Sequence, residues 1–360
     1  MIGRRWLIPL VPVAGIGLFS LYWHWTVAEL EAGYVNWAQA SRAAGWTIQT
    51  GPPLRGGWPF TATLRVPEPA IAIDDPNGLA NGLFWQAEQL VLRVALLQPT
   101  VLRIETEGKQ SLRLGAGPAV PFTAGRLRVE LPLSANAATL RADLSVHDLR
   151  ATLPWRGDTV PMPVRLTLGE LRLHLDLQPE ASAGRPFFGF SLSAAAVGLP
   201  PEMASPLGPR IAAVALEGGI DGSWPDFSQS ADRDIATRAA RWRDDGGKLE
   251  LTRAAIAWGN FDLSGTATLS FDGGLQPMGA GIAHIAGYVD ALDALVMFGW
   301  LGEQPSTLAK MILTQMSRPP ANAAPGAAVV AEIPVMLQNR VLSVHQIALL
   351  QMPALAWPTP

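Results

Sequence analysis

Asp74, Asp75 and Glu170 are the carboxylates that could serve a hydrolase, in which two acids share the work of general acid and general base. Their settings favour plainer roles. Asp74 and Asp75 precede Pro76-Asn77-Gly78, where aspartates cap a turn. Asp232 and Asp234 stand at a helix start, favoured by capping and the helix dipole, and Asp244 and Asp245 lead into the Gly246-Gly247 pair that stops the same helix. His24, His147, His174, His284 and His345 are dispersed, with no HExxH or other metal-ligand spacing. His147 and His174 read as solvent-facing strand residues. The chain has no cysteine, hence no thiolate nucleophile, thiolate metal site or disulfide, and no nucleophile elbow, phosphate loop or dinucleotide fingerprint occurs. No catalytic residue, metal ligand or cofactor is assigned.

The thirteen tryptophans are the next chemistry to weigh, because indole stacks on sugars and settles at membrane interfaces. Trp58, Trp155 and Trp224 lie beside prolines at turns, and Trp258 begins a Gly-Asn turn. Trp58, Phe60, Trp224 and Trp258 are therefore read as large residues that close the ends of a sheet or line the mouth of a groove. In "LRGGWPFTATLRV", residues 54–66, Gly56 and Gly57 can take positive φ and Pro59 keeps Trp58 extended. The run then alternates as a strand does.

Strands must position these residues. In "FDLSGTATLSFD", Phe261, Leu263, Gly265, Ala267, Leu269 and Phe271 fall on one face, opposite Asp262, Ser264, Thr266, Thr268, Ser270 and Asp272. Similar alternation occurs at Leu127, Val129 and Leu131, and at Leu140, Ala142, Leu144 and Val146. At Leu166 and Leu168 the phase holds, slips at Gly169-Glu170, and resumes at Leu171, Leu173, Leu175 and Leu177. A bulge at Gly169 would keep both sets on one face. Such one-sided strands belong to antiparallel sheets. Helical patterns are few: 27–44 capped by Gly45, 232–245, 287–300 and 306–317. The expected fold is mainly β, a β-rich α+β chain in which a large curved antiparallel sheet or meander has only a few packing helices. Its apolar side must curl on itself, meet a second sheet or leave a groove. A final hairpin is expected to turn near Asn339.

Location is read from the first segment. After Arg4 and Arg5, residues 6–25, "WLIPLVPVAGIGLFSLYWHW", hold no formal charge with His24 neutral, and as a helix they would rise about 30 Å. Trp6 at one end and Tyr22, Trp23 and Trp25 at the other fit the interfacial aromatic belts, and the arginines favour a cytoplasmic N-terminus. A retained anchor is preferred to a cleaved signal peptide because the span ends in bulky aromatics. The expected organisation is an N-terminal membrane anchor at 1–26, a juxtamembrane helix at 27–45 and a β-rich extracytoplasmic domain at 46–360. A sub-boundary near 205–230 and a linker at 319–328 are noted. The composition agrees: 49% of residues are hydrophobic and 16% charged, against roughly 25% in an ordinary soluble domain. A net charge of -3 gives no reason to expect nucleic acid as a partner.

The anchor and helix, the "GW" at 45–46, "GGWPF" at 56–60, "WRDDGGKLELTRAAIAWGNFDLSGTATLSFDGG" at 242–274 and the closing "LLQMPAL" together resemble the bacterial domain-of-unknown-function family 2125. The strand-turn-strand pattern at 258–272 is similar, more distantly, to the AsmA-like envelope proteins. That likeness implies a long curved sheet with an apolar inner face and a lipid-handling shape. Neither resemblance supplies catalytic residues.

The leading expectation is a non-enzymatic protein of the inner membrane and cell envelope, its bulk periplasmic, binding, shielding or helping to move an apolar ligand such as lipid. The apolar sheet face at Phe261, Leu263, Ala267, Leu269 and Phe271 would carry that role. The alternative is a scaffold or assembly factor for other envelope proteins. A hydrolase of an envelope polymer stands third.

Overall fold

The computed structural model describes residues 10–73, 82–133, 140–156, 161–178, 186–201, 205–222, 235–299, 301–318, 330–344 and 347–357. The chain is mainly β: the described residues form nineteen strands in a single antiparallel sheet and four helices. In chain order they are α1 (Leu10–Ala43), β1 (Trp46–Gln49), β2 (Leu54–Gly56), β3 (Thr61–Pro67), β4 (Ala70–Ile73), β5 (Leu83–Ala95) and β6 (Gln98–Leu114). There follow β7 (Val120–Thr123), β8 (Arg126–Pro132), β9 (Leu140–Arg156), β10 (Pro161–Leu177), β11 (Phe188–Gly198) and β12 (Arg210–Asp221). The last third holds α2 (Ile235–Asp244), β13 (Lys248–Trp258), β14 (Phe261–Phe271), β15 (Pro277–Ala286), α3 (Tyr288–Met297) and α4 (Glu303–Met316). It ends with β16 (Ser317–Arg318), β17 (Val330–Gln338), β18 (Val341–Val344) and β19 (Ile347–Gln351).

From β8 to β15 each strand pairs with the next in sequence, and β15 pairs with β17. Short strands share positions: β3 and β4 lie end to end along β5, and β7 and β8 both bridge β6 to β9. At about 4.8 Å per strand, the sheet is on the order of 65 Å long across its strands. β12 pairs with both β11 and β13, so the sheet is unbroken at the position of the noted sub-boundary, whose residues 223–234 lie outside the described residues with the 319–328 linker.

The phase slip at Gly169 is one point on a line that crosses the sheet. Leu168 pairs with Leu149 and Glu170 with His147, leaving Gly169 opposite Asp148, whose φ is 51°. On the next strand Ala196, φ 55°, is skipped between Ala195 and Val197, and beyond it Ala212 is skipped between Ile211 and Ala213. In the other direction the line passes the break between β7 and β8, then Gly108 (φ 81°), Glu88 and Glu68 (φ 48°). A Cβ on Gly108 would stand 2.8 Å or less from three atoms of the Glu88 side chain, so glycine is required there for space as well as for φ. Register shifts as at a β-bulge between Ala87 and Gln89 and, toward β13, between Ile211 and Ala213; at Gly169, Asp148 and Ala196 register is kept and facing residues are left unpaired together, with partly buried positions resuming on the same face beyond them.

The helices fall near the expected positions. α1 is one continuous helix that runs through the expected junction between anchor and juxtamembrane helix, and it ends at Gly45, φ 93°. Asn339 and Arg340, φ 51° and 65°, make the two-residue turn of the β17–β18 hairpin, as type I′ turns require, and β19 then pairs back on β18. Asp272 closes the β14–β15 turn by accepting from the backbone N–H of Gly274 at 2.9 Å and Gln276 at 2.8 Å. The C-terminal segment is strapped to that turn: Trp357 packs edge-on against Phe271 and donates its indole N–H to Leu275 O at 2.9 Å.

Buried core is concentrated at the two ends. At one end Val27, Leu30 and Tyr34 of α1 pack on Ala62, Leu64, Val66, Leu90 and Leu92. At the other, Leu292 of α3 and Ala309 and Leu313 of α4 pack on Ala283, Ala331, Ile333 and Val344.

Candidate functional site: an apolar face covered at its ends

The strand register joins the single-strand alternations into rows. One row runs Leu64, Leu92, Ile104, Val129, Leu144, Leu173, Leu192, Leu216, Ala254, Gly265, Ala283 and Ile333, each residue the register partner of the next, from β3 to β17. No polar side chain interrupts it. The next row runs from Val66 and Leu90 through Thr106 to Leu127, Val146, Leu171, Ala194, Val214, Ile256, Leu263, Ile285 and Ala331.

Exposure changes along the row. Leu64 and Leu92 are 0% and 7% exposed under α1, and Ile333 is 1% exposed beneath the α3–α4 end. Between them Leu144, Leu173, Leu192 and Leu216 are only partly buried, and among the described residues no helix packs on β9, β10 or β11 to any extent. Apolar side chains at this density normally find cover in a folded chain.

Two cavities open on the same face. One, of about 510 Å³, lies between α1 and β5, β6 and β8 and is lined by Tyr22, Trp25, Leu30, Tyr34, Trp37, Leu90, Leu102, Ile104 and Leu131, with Glu29 as its one charged residue. The other, of about 430 Å³, lies under α3 and α4 and is almost wholly hydrocarbon: Phe261, Leu263, Ala267, Ile285, Leu295, Ile312, Val335 and Leu349 among its walls. Both are within the range of small-ligand pockets. The row just described connects them. Over the second cavity the two helices are joined by an ion pair, Lys310 Nζ to Asp293 Oδ1 at 2.5 Å, and by a hydrogen bond between the Tyr288 and Thr314 hydroxyls at 3.0 Å.

The opposite face is ionic. Arg103 meets Glu130 at 2.9 Å, Glu105 lies between Arg93 at 3.0 Å and Arg128 at 2.5 Å, and Asp143 meets His174 at 2.7 Å. Lys248 sits between Asp221 at 3.2 Å and Glu250 at 3.4 Å; hydrogen bonding to Asp221 first, then to Glu250, holds its ammonium above the usual 10.5. These are solvated cross-strand pairs of modest worth, and they mark the face that water covers.

Among the described residues the acidic and histidine side chains weighed in the sequence stand in separate pairs. Glu170 pairs with Arg172 at 2.5 Å on the ionic face, and His284 pairs with Glu332 at 3.4 Å. Among the described residues no three of His, Cys, Asp and Glu stand close enough to hold a metal ion. Asp74, Asp75, Asp232, Asp234, His345 and Trp224 lie outside the described residues.

The structure separates the remaining aromatics. Trp58 and Phe60 are 56% and 72% exposed at the turn between β2 and β3, beside α1. Trp258 lies at the turn between β13 and β14, where its indole N–H donates to Gly208 O at 2.9 Å. Phe261, Leu263 and Ala267 line the second cavity, and Phe271 is held between Trp242 and Trp357, 5.7 and 5.4 Å between ring centres. Leu173, Leu192 and Leu216 belong to the same face. Their alternation is visible in the sequence, but their exposure depends on which strands the helices cover.

Among the described residues a single long antiparallel sheet, apolar on one face and ionic on the other, carries helices only toward its ends, and the chain is a mainly β protein. The chain belongs to the bacterial family described as "Uncharacterized protein conserved in bacteria (DUF2125)", whose model matches residues 23–353. No curated protein and no solved structure matches it.

Proposed function

We propose that this chain is a non-enzymatic protein of the cell envelope, anchored in the inner membrane by its N-terminal segment, whose apolar face binds hydrocarbon chains of lipids and shields them from water. One observation carries the reading: the row from Leu64 to Ile333 is continuous, yet only its ends are roofed by the described helices. Covering about a dozen half-exposed apolar side chains with acyl chains would gain roughly 25 cal/mol for each Å² removed from water. Apart from Thr106 the two rows have no polar residue at which to orient a headgroup, so selectivity rests on the alkyl part. The cavities under α1 and under α3–α4 would hold the parts of the ligand that enter or leave the open stretch.

Among the described residues no helix is long and apolar enough to cross a membrane; the expected span, residues 6–25, begins outside them. The anchor therefore rests on the sequence of that span, with the Arg4-Arg5 flank setting its orientation and a periplasmic location for the sheet. The test is lipid extraction from the full chain purified in mild detergent, followed by mass spectrometry. Phospholipid recovered in stoichiometric amount, and lost when Leu192→Asp is introduced, is the expected result. A lipid-free protein whose wild-type and Leu192→Asp forms behave alike overturns the reading.

A further inference from the structure

At the α1 end of the sheet, two turns expose bulky apolar residues where cost-free alternatives exist. Phe60 is 72% exposed and Trp58 56% in the β2–β3 turn, and Leu97 is 83% exposed in the β5–β6 hairpin. The turns touch, since Leu96 N–H donates to Phe60 O at 3.1 Å. Both are tied to one level of α1: Trp23 donates its indole N–H to Thr61 O at 2.8 Å, the Tyr22 hydroxyl reaches Leu96 O at 3.4 Å, and Trp58 Nε1 reaches Ser20 Oγ at 3.4 Å. Here one side of the helix packs on the sheet through Phe19, Tyr22, Trp23 and the fully buried Val27, while on its other side Leu18 and Leu21 are 70% and 67% exposed.

We infer that this end of the sheet is seated in a lipid bilayer surface, with Phe60 and Leu97 inserted among the acyl chains near the headgroups and Trp58 at the boundary. The inference rests on the proposed anchor and extends it to residues of the sheet. Charge argues for a bilayer rather than a protein partner. Residues 6–28 carry no Asp, Glu, Lys or Arg, and neither does "GGWPFT" at 56–61 or "ALLQPT" at 95–100, whereas the ionic face nearby is laced with pairs. A ring of aromatic and aliphatic side chains around an emerging helix, with indole N–H groups as the polar handles, matches the composition of a membrane interface. Tyr22 and Trp25, which stand at this level, also line the 510 Å³ cavity. Its mouth would then open at the bilayer, letting a hydrocarbon chain pass onto the sheet without crossing water.

Because the chain has no cysteine, single-cysteine variants carry one label each. Full-length F60C, L97C, I16C and G273C, labelled with an environment-sensitive fluorophore, are reconstituted in phosphatidylethanolamine–phosphatidylglycerol vesicles doped with lipid spin-labelled high on the acyl chain. Interfacial insertion reaches about 5–10 Å, so quenching of about two-fold or more is expected at positions 60, 97 and 16, with none at 273 in the distant β14–β15 turn. Quenching at 16 alone, with 60 and 97 open to aqueous iodide, overturns the seating and leaves the anchor standing. Loss of lipid quenching at all three positions overturns both.

Discussion

Leu64→Ala and Leu192→Ala remove the same atoms from the same row of the sheet, but under different cover. Leu64 is 0% exposed and packs with Tyr34, Val66, Leu90 and Leu92, so its truncation loses the transfer free energy and leaves a cavity under α1, about 3–5 kcal/mol. Leu192 is partly exposed between Leu173 and Leu216, and in lipid-free protein the space it leaves is open to solvent. Its loss is a fraction of one side-chain burial, about 1 kcal/mol. With a urea m-value of about 3 kcal/mol/M, the midpoint falls by about 1–1.7 M for Leu64→Ala and about 0.3 M for Leu192→Ala. Urea unfolding of the delipidated full chain, followed by far-UV circular dichroism, measures both. Equal midpoint shifts would refute the reasoning, because they would mean that the middle of the face is packed as tightly as its ends.

Three further outcomes are expected. Ile333→Ala, at the other roofed end where the residue is 1% exposed, resembles Leu64→Ala in cost and not Leu192→Ala, by the same unfolding assay. Gly287→Ala places a Cβ 1.9 Å from Asn260 O at a φ of 64°, and the combined clash and strain lower stability by about 1–3 kcal/mol or more, seen as a reduced thermal midpoint. Lys248 has a folded-state pKa raised above 10.5 by Asp221 and Glu250, so its contribution is complete below that pH and fades as pH rises through the raised value. Unfolding midpoints of wild type and Lys248→Met should therefore differ at about pH 9 and converge at the alkaline extreme, with the difference small at 0.15 M salt because Lys248 and Glu250 are exposed to solvent.

Much of the architecture was legible because antiparallel strands with one wet face write their period directly into the chain. The alternation at 261–271 and 140–146, the helices after Asp234 and Gly287 and the hairpin at Asn339 could each be read from local pattern. The slip at Gly169 was legible too. Its extension to Asp148, Ala196, Gly108 and Glu68 was not, since such a line exists only once register has set those residues side by side. The two cavities were equally hidden. That α1 roofs β3 and β5 while α3 and α4 roof β14 and β17 is a matter of tertiary placement, and no local signal separates the covered Leu64 from the uncovered Leu192. Trp58 and Phe60 were noticed for their type, but the hydrogen bonds that tie their turn to Ser20 and Trp23 of α1 appear only in the fold.

The most direct test of the hydrocarbon-binding face is site-specific photocrosslinking in cells. A photoreactive side chain at Leu192, on the apolar face, and another at its chain neighbour Ser191, which pairs with His174 on the ionic face, sample the two sides of one strand. Phospholipid adducts at 192 and none at 191 are the expected result. Protein adducts at 192, or no adduct at either position, would contradict the account.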